Sequence, residues 1–286
     1  MAALVLLCAI WGFTQVAIKM ANAGISPLLQ AGLRSAGAAL LLWAWSAACG
    51  IPLFRRDGSL GHGALIAALF AAEFILIYGG LVLTTATRSV LFVYTAPFVV
   101  ALGAHVFVPG ERLTRRKVVG LACAFAGIAV AFADALRLPT RAELLGDTMV
   151  LGGAVCWGAT TVLIKARRRA TLTPNKTLFY QLAGSALVLL PLSIAVGEPG
   201  LVSASPIVLA SLAYQIVVVA FASYLAWFWL LTRYPAAELS AFSFLTPLFG
   251  MTAGALVLGE RVGVALAAAM ALVALGIYLV NSRQRD

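Results

Sequence analysis

One acidic side chain, Glu73, lies near the middle of an apolar run at residues 61–83. If that run crosses a membrane, a carboxylate at its centre costs about 2.5–3.5 kcal/mol, so a partner or a function is expected. Glu73 is therefore a candidate to carry a proton in its neutral form or to bind a substrate ammonium group. The alternative is an ion pair with Arg34, about two turns into the preceding apolar run, and we expect Arg34 itself to be structural.

Aromatic and small polar side chains recur inside the other apolar runs of the chain. An aromatic-walled cavity suits apolar or aromatic solutes, and a few hydroxyl and amide groups would fix their orientation. The competing interpretations are aromatic belts at the membrane surface and polar contacts that hold helices together. Together with Glu73, the candidate substrate-binding residues are Trp11, Thr14, Gln15, Tyr78, Tyr94, Trp157, Thr160, Thr161, Tyr214, Tyr224, Trp227 and Ser243.

Two prolines, Pro97 and Pro247, lie mid-way along apolar runs. A proline inside a helix removes one backbone hydrogen bond and frees a carbonyl group, which bends or interrupts the helix. Because the two occupy matching positions, we expect a hinge or gate rather than bends that serve packing alone. Lys19 and Lys165 end two other runs. They either reach to the membrane surface or lie at opposite mouths of a pathway.

Composition places these residues in a membrane. The chain has 286 residues, of which 63% are hydrophobic and 10% charged, whereas soluble domains are near half apolar and a quarter charged. A helix needs about 20 apolar residues to cross the hydrocarbon layer. We therefore predict an all-α membrane protein, in contact with the lipid bilayer through ten transmembrane helices. The predicted spans are residues 2–20, 27–49, 61–83, 86–108, 115–134, 146–165, 176–196, 206–231, 236–258 and 261–281.

The net charge is +10, and the basic residues cluster in the short segments between the spans. That distribution is typical of membrane loops at an anionic surface, so we predict no nucleic-acid partner. If the N-terminus is cytoplasmic, the loops on that side carry fourteen Lys and Arg residues against five at the opposite ends. The positive-inside rule therefore predicts a bacterial-type cytoplasmic (inner) membrane protein with both termini in the cytoplasm.

The chain contains an internal repeat. The segment Trp11-Gly12-(six residues)-Lys19 recurs as Trp157-Gly158-(six residues)-Lys165, 146 residues later. Further matches follow in the same order: Pro27 and Gly37 with Pro174 and Gly184, Pro97 with Pro247, Gly110-Glu111-Arg112 with Gly259-Glu260-Arg261, and Gly127-Ile128 with Gly276-Ile277. We therefore predict a first five-helix repeat at 1–135, a linker at 136–145 and a second repeat at 146–286. Because five is odd, the second repeat is inverted in the membrane.

These motifs resemble the drug/metabolite transporter superfamily, and within it the ten-helix, two-repeat EamA-type transporters. The resemblance rests on the Trp-Gly-(six)-Lys segments, Pro27 with Arg34, the mid-span prolines and the paired Gly-Glu-Arg turns, and it covers residues 3–281. The second repeat departs from the pattern at Gln181, where the first repeat has Arg34. The resemblance implies export of metabolites, with the general character of the aromatic or neutral amino acid exporters.

The residues and the resemblance together predict a secondary transporter that exports small organic metabolites, amino acids above all, by alternating access through a central cavity between the repeats. The alternatives are a multidrug exporter, an exporter of other metabolites such as nucleosides or sugar phosphates, and a passive facilitator or channel. The sequence has no hydrolase, metalloprotease or nucleotide-binding motif, so we predict no enzyme activity, no cofactor and no metal. The partner is a small-molecule solute, with coupling to protons left open, and a monomer is compatible with the sequence.

Overall fold

The computed structural model describes residues 2–55, 57–133, 138–166, 173–258 and 264–282. Within these ranges, the side chains of residues 15, 87, 254–258 and 264–266 are not described. Strand pairing in the described ranges is limited to one antiparallel bridge between Ile25 and Leu201. The helices are α1 (Ala2–Ala21), α2 (Pro27–Ala48), α3 (Leu60–Leu83), α4 (Ala86–Val93), α5 (Ala96–Phe107), α6 (Arg115–Ala131), α7 (Arg141–Ala166), α8 (Pro174–Ala195), α9 (Pro206–Tyr214), α10 (Tyr224–Leu231), α11 (Ala236–Phe242), α12 (Thr246–Leu258) and α13 (Val264–Asn281).

These helices form ten successive rods within the described ranges. A π-helical stretch, Gln215–Ser223, joins α9 to α10, and a 3-10 turn, Ser243–Leu245, joins α11 to α12; α4 and α5 also follow one another in one rod. Six rods are long and apolar enough to cross a membrane by length and composition: Ala2–Ala21, Leu60–Leu83, Arg88–Phe107, Arg141–Ala166, Pro174–Ala195 and Pro206–Leu231. The remaining rods coincide with the other predicted spans. The prediction of an all-α, multi-pass membrane protein with ten transmembrane helices is confirmed.

Helix α7 begins earlier than the sequence analysis predicted. It starts at Arg141, so residues 141–145, which we had placed in the linker, are helical. The Thr140 hydroxyl accepts a hydrogen bond from the Glu143 backbone N–H at 3.2 Å, and the Glu143 carboxylate accepts one from the Thr140 N–H at 2.7 Å. This reciprocal pair is a capping box, which satisfies two otherwise unpaired N–H groups at a helix N-terminus. The Thr-x-x-Glu pattern was therefore the missed signal.

The two rods that contain the mid-span prolines are interrupted rather than merely bent. Helix α4 ends at Val93, and α5 begins at Ala96 with Pro97 in its first turn. In the ninth rod the 3-10 turn precedes α12, where Pro247 is the second residue. A proline is tolerated in the first turn of a helix because its missing N–H would have no partner there. The chain thus carries matching breaks at matching places in its two halves.

Packing between the rods follows a pattern that is preserved when the two halves are exchanged. Helix α2 packs against α8, and α6 against α13, so corresponding rods of the halves lie side by side. Helix α3 packs against α7, just as α1 packs against the rod of α9 and the π-helical stretch. Helix α5 packs against α7, just as α12 packs against α1. Such reciprocal contacts are the arrangement that an inverted repeat produces.

Glycines permit the closest of these crossings. A Cβ atom added at Gly276 in α13 would lie 2.5 Å from the carbonyl oxygen of Gly120 in α6. A Cβ atom added at Gly120 would lie 2.7 Å from the carbonyl oxygen of Gly276. Both obstacles are backbone atoms, which cannot move aside as a flexible side chain can. Small residues at membrane helix crossings act in this way, because they let the backbones approach.

The Gly120–Gly276 crossing predicts that Gly276→Ala is destabilising. The added methyl group forces α13 away from α6, and overpacking of this kind costs about 1–3 kcal/mol, so the thermal unfolding midpoint falls by about 3–10 °C. Gly61→Ala is the matched control, because Gly61 lies in α3 and an added Cβ there meets no atom within 4 Å. Its midpoint stays constant or rises slightly, since alanine favours helix. Equal midpoints for the two variants, measured by thermal unfolding in detergent, would contradict the close crossing.

Candidate functional site

A cavity of about 860 Å³ lies between the halves of the bundle. Its lining includes Val82 at the end of α3 and Val196 just after α8, whose exposed fractions are 84% and 57%. The cavity therefore reaches the surface at the end of the bundle that carries the α3–α4 and α8–α9 loops. We call this the Glu198 end, after the acidic residue in the second of those loops, and the opposite end the Lys165 end.

Most of the candidate substrate-binding residues line this cavity. Tyr214 and Ser243 do not, and the side chain of Gln15 lies outside the described residues. The Tyr214 hydroxyl donates to the Ile10 carbonyl at 2.9 Å, and the Ser243 hydroxyl donates to the Ser240 carbonyl at 2.7 Å. We therefore withdraw Tyr214 and Ser243 as cavity residues. Those that do line the cavity are Trp11, Thr14, Glu73, Tyr78, Tyr94, Trp157, Thr160, Thr161, Tyr224 and Trp227.

Aromatic rings form a fixed wall of the cavity. The Trp11 indole N–H donates to the Ser223 hydroxyl at 2.8 Å. Its ring lies edge-on to Trp227, with 5.3 Å between centroids, and to Tyr224, with 6.3 Å. Edge-to-face pairs at these separations are favourable, and the hydrogen bond sets the orientation of the indole. The wall therefore presents an apolar surface to the cavity.

Two ionisable side chains of opposite type, Arg34 and Glu73, also line the cavity. Arg34 is only 4% exposed, and its guanidinium carbon lies 4.7 Å from the centre of the Phe74 ring. Its Nε and Nη2 atoms have no hydrogen-bond partner in the described protein, and neither has Oε2 of Glu73. The two side chains do not form the ion pair that the sequence analysis gave as the alternative for Glu73. The sequence analysis also missed that Arg34 faces the cavity. The sequence of α2 alone does not show which side of the helix lines the cavity and which side packs against other helices.

A buried ion pair ties several helices together at the Lys165 end. The Lys165 ammonium lies 3.8 Å from Oε1 of Glu111, and the two side chains are 8% and 9% exposed. The ammonium also donates to the carbonyls of Leu231, at 2.7 Å, and Tyr234. Both carboxylate oxygens of Glu111 accept the Ala236 N–H, at 2.9 Å, at the start of α11. One cluster thus joins α7, the α5–α6 loop, the end of α10 and the start of α11.

A second, smaller cavity lies on the Lys165 side of the large one. It has a volume of about 240 Å³ and is lined by His62, Lys165 and Thr177 among others. Ile164 and Phe228 line both cavities, so these apolar side chains form the partition between them. Lys19, by contrast, is exposed at the Glu198 end of α1. The placement of Lys19 and Lys165 at opposite ends matches the predicted geometry, and their role at the pathway mouths stays a prediction.

Glu198 orders the rim of the open end. Its carboxylate accepts hydrogen bonds from the N–H groups of Leu28 and Leu29, both at 3.0 Å, and from the Ser193 hydroxyl at 2.7 Å. Partial burial raises the pKa of Glu198, but these hydrogen bonds outweigh it, so the net pKa lies below that of an ordinary glutamate. The carboxylate is therefore ionised at neutral pH and caps the N-terminus of α2. At the mouth of the cavity, these hydrogen bonds hold the α8–α9 loop against the N-terminus of α2.

The family model that matches this chain is that of the EamA-like transporter family. It matches residues 1–133 and again residues 144–282, which together cover nearly the whole chain. This finding confirms the resemblance that the Trp-Gly-(six)-Lys segments and the paired turns indicated. It also makes the chain a transporter rather than an enzyme.

Relatives of similar length are found among bacterial transporters. A protein of Escherichia coli (strain K12) named "Probable amino-acid metabolite efflux pump" is 29% identical over 284 residues, covering 96% of this chain and 92% of the relative. A protein of the same name from Salmonella typhimurium (strain LT2) is 30% identical over 285 residues, with coverages of 96% and 92%. An uncharacterized transporter of Bacillus subtilis (strain 168) is 26% identical over 272 residues, with coverages of 94% and 92%.

A solved crystal structure has the same fold as this chain. The two superpose with a TM-score of 0.84 at 20% sequence identity, over 97% of this chain and 95% of the other. Identity at that level establishes the architecture and nothing about the solute. The family match over both halves, together with the relatives and the ten-rod membrane bundle, identifies the protein. The chain belongs to the EamA-like transporter family of the drug/metabolite transporter superfamily.

Proposed function

We propose that this protein is a secondary transporter that exports amino acids, aromatic or neutral, by alternating access. The observation that carries the proposal is the large cavity between the halves, which opens at the Glu198 end. In the described residues, Ile164 and Phe228 separate it from the smaller cavity that Lys165 lines at the other end. A carrier needs a central site that reaches one side of the membrane at a time. A passive pore would need a continuous path, and the closed end argues against one.

The exchange of access would use the two halves of the chain. We propose the division 1–135, 136–145 and 146–286, with the linker shortened at its end by the early start of α7 at Arg141. Because the packing pattern is preserved when the halves are exchanged, the same contacts can form with the roles of the halves reversed. The breaks before Pro97 and Pro247 would be the hinges, since an interrupted helix can change direction without losing further hydrogen bonds.

Orientation follows from the basic residues. Lys and Arg are concentrated in the loops at the Lys165 end, so we propose that this end and both termini face the cytoplasm of a bacterial-type inner membrane. The cavity would then face outward, which is the state from which an exporter releases its solute. The smaller cavity beside His62 and Thr177 would mark the start of the cytoplasmic route.

The substrate class is proposed from the cavity wall and from the relatives. Aromatic rings with a few hydroxyl groups suit a small solute with an apolar or aromatic side chain. Two of the relatives carry a name that refers to amino-acid metabolite efflux. Other metabolites and drugs are the competing substrate class, and coupling to protons through Glu73 is a competing role for that carboxylate.

Counterflow in proteoliposomes tests the proposed function. Vesicles loaded with unlabelled L-phenylalanine should accumulate labelled L-phenylalanine transiently and saturably, because a carrier exchanges bound solute across the membrane. Protein-free vesicles are the control, and labelled nucleosides and cationic drugs form the comparison panel. Exchange of a nucleoside or drug without any amino acid would overturn the amino-acid assignment. Uptake that does not saturate and needs no internal solute would indicate a passive channel instead.

The closed end generates a second prediction, for Glu111→Ala. The variant removes the carboxylate that lies 3.8 Å from the Lys165 ammonium and that accepts the Ala236 N–H, so α11 loses its anchored start. Hydrogen–deuterium exchange at Ala236 and Ala237 should become at least about tenfold faster. Glu238→Ala is the matched control, because Glu238 makes a more exposed pair with Lys117, at 3.4 Å, which contributes little. Unchanged exchange at Ala236 in Glu111→Ala would show that Glu111 does not hold this end closed.

A further inference from the structure

Arg34 and Glu73, in the large cavity, have polar atoms without hydrogen-bond partners among the described residues. Arg34 is 96% buried, being 4% exposed, yet its Nε and Nη2 atoms make no hydrogen bond in the described structure. Oε2 of Glu73 is buried and equally without a partner. Both residues line the cavity. Buried charges without partners are costly, so groups left in this condition within a cavity indicate a ligand that supplies the missing contacts.

Arg34 and Glu73 do not supply each other's missing hydrogen bonds. Arg34 lies near enough to Glu73 to act on it electrostatically, but the two do not form an ion pair. A ligand between them that carried one charge would satisfy one group and leave the other unpaired. A ligand that carries a carboxylate and an ammonium group close together would satisfy both at once. The complementary chemistry is therefore that of a zwitterion.

The surroundings of Arg34 favour a carboxylate as its ligand. The guanidinium carbon lies 4.7 Å from the centre of the Phe74 ring, which supports one face of the group by a cation–π contact. Stacking on a ring leaves the edge of the guanidinium fork available, and that fork matches the two oxygens of a carboxylate. Phe74 also follows Glu73 directly in α3, so both ligand contacts would be made on the same part of that helix.

The repeat shows that these charges are peculiar to one half of the cavity. The neutral Gln181 occupies the position of Arg34 in the second half, 147 residues later, and the rod that corresponds to α3, residues 206–231, has no acidic residue. A symmetric scaffold thus carries both charges on the α2–α3 side. The aromatic rings of Trp11, Tyr224 and Trp227 line the same cavity, where they can receive an apolar side chain.

We propose that Arg34 and Glu73 form a cradle for a zwitterionic α-amino acid, with the substrate carboxylate on the Arg34 guanidinium, its ammonium on the Glu73 carboxylate, and its side chain against the aromatic wall. This inference rests on the proposed function and makes it more specific. It replaces the structural role that the sequence predicted for Arg34. The cradle also explains the selectivity of a mostly apolar cavity for amino acids, since a ligand that lacks either charge leaves a buried charge unpaired.

The test is competition against counterflow of labelled L-phenylalanine by L-phenylalanine methyl ester, which lacks the carboxylate, and by N-acetyl-L-phenylalanine, which lacks the ammonium. In the natural protein, both derivatives should compete at least about tenfold more weakly than L-phenylalanine, because each leaves one charge unpaired. Arg34→Gln should weaken L-phenylalanine at least about tenfold and strengthen the methyl ester. Glu73→Gln should weaken L-phenylalanine similarly and strengthen the N-acetyl compound.

A gain of competition by one derivative distinguishes the cradle from misfolding, because a damaged protein does not bind any ligand more tightly. Arg233→Gln is the matched control: its guanidinium lies 3.9 Å from the Trp229 ring centre outside the cavity, and all three compounds should compete as they do in the natural protein.

If L-phenylalanine exchanges but both variants weaken all three ligands equally, the cradle is wrong and the proposed function stands. If Glu73→Gln instead removes the response of every substrate to a pH gradient, Glu73 carries a proton and the cradle is also wrong. No exchange of any amino acid by the natural protein overturns the proposed function and the cradle with it.

Discussion

The closure of the Lys165 end is the constraint on which the cavity depends. Burying Glu111 and Lys165 is costly unless each charge finds several partners, and the two find them in each other, in the Ala236 N–H and in the carbonyls of Leu231 and Tyr234. The cluster therefore forms only when four parts of the chain meet. In the described residues, the large cavity opens at the Glu198 end, and Ile164 and Phe228 separate it from the smaller cavity at the Lys165 end.

The two halves of the chain are related by symmetry in their packing but not in their charges. The packing of rods is preserved when the halves are exchanged, and the breaks before Pro97 and Pro247 lie at matching places. The charges are not symmetric: Arg34 and Glu73 belong to the first half, and Gln181 replaces the arginine in the second. In the proposed alternating-access cycle, this scaffold would support two states of opposite access, and Arg34 and Glu73 would hold the solute in one orientation in both.

The sequence alone predicted the rods and most of the residues that line the cavity. Its errors in the cavity lining fall where the backbone departs from regular α-helix. Tyr214 directly precedes the π-helical stretch and Ser243 begins the 3-10 turn, so an α-helical register places both on the wrong face. The sequence did not show that Arg34 lines the cavity, because its rod is apolar on most sides, and hydropathy then does not distinguish cavity from packing. The start of α7 was predictable from Thr140 and Glu143. The contacts of Glu111 were not, since they join residues more than a hundred positions apart.

The central claim is a cavity that reaches one side of the membrane at a time, and sided labelling of a cavity residue tests it most directly. A single cysteine at Val93, which lines the cavity, would replace the four native cysteines as the reactive thiol in oriented proteoliposomes. A membrane-impermeant maleimide should react much faster from the Glu198 side than from the Lys165 side, and solute should slow the reaction. Equal rates from both sides would show a continuous pore and rule out access from one side at a time.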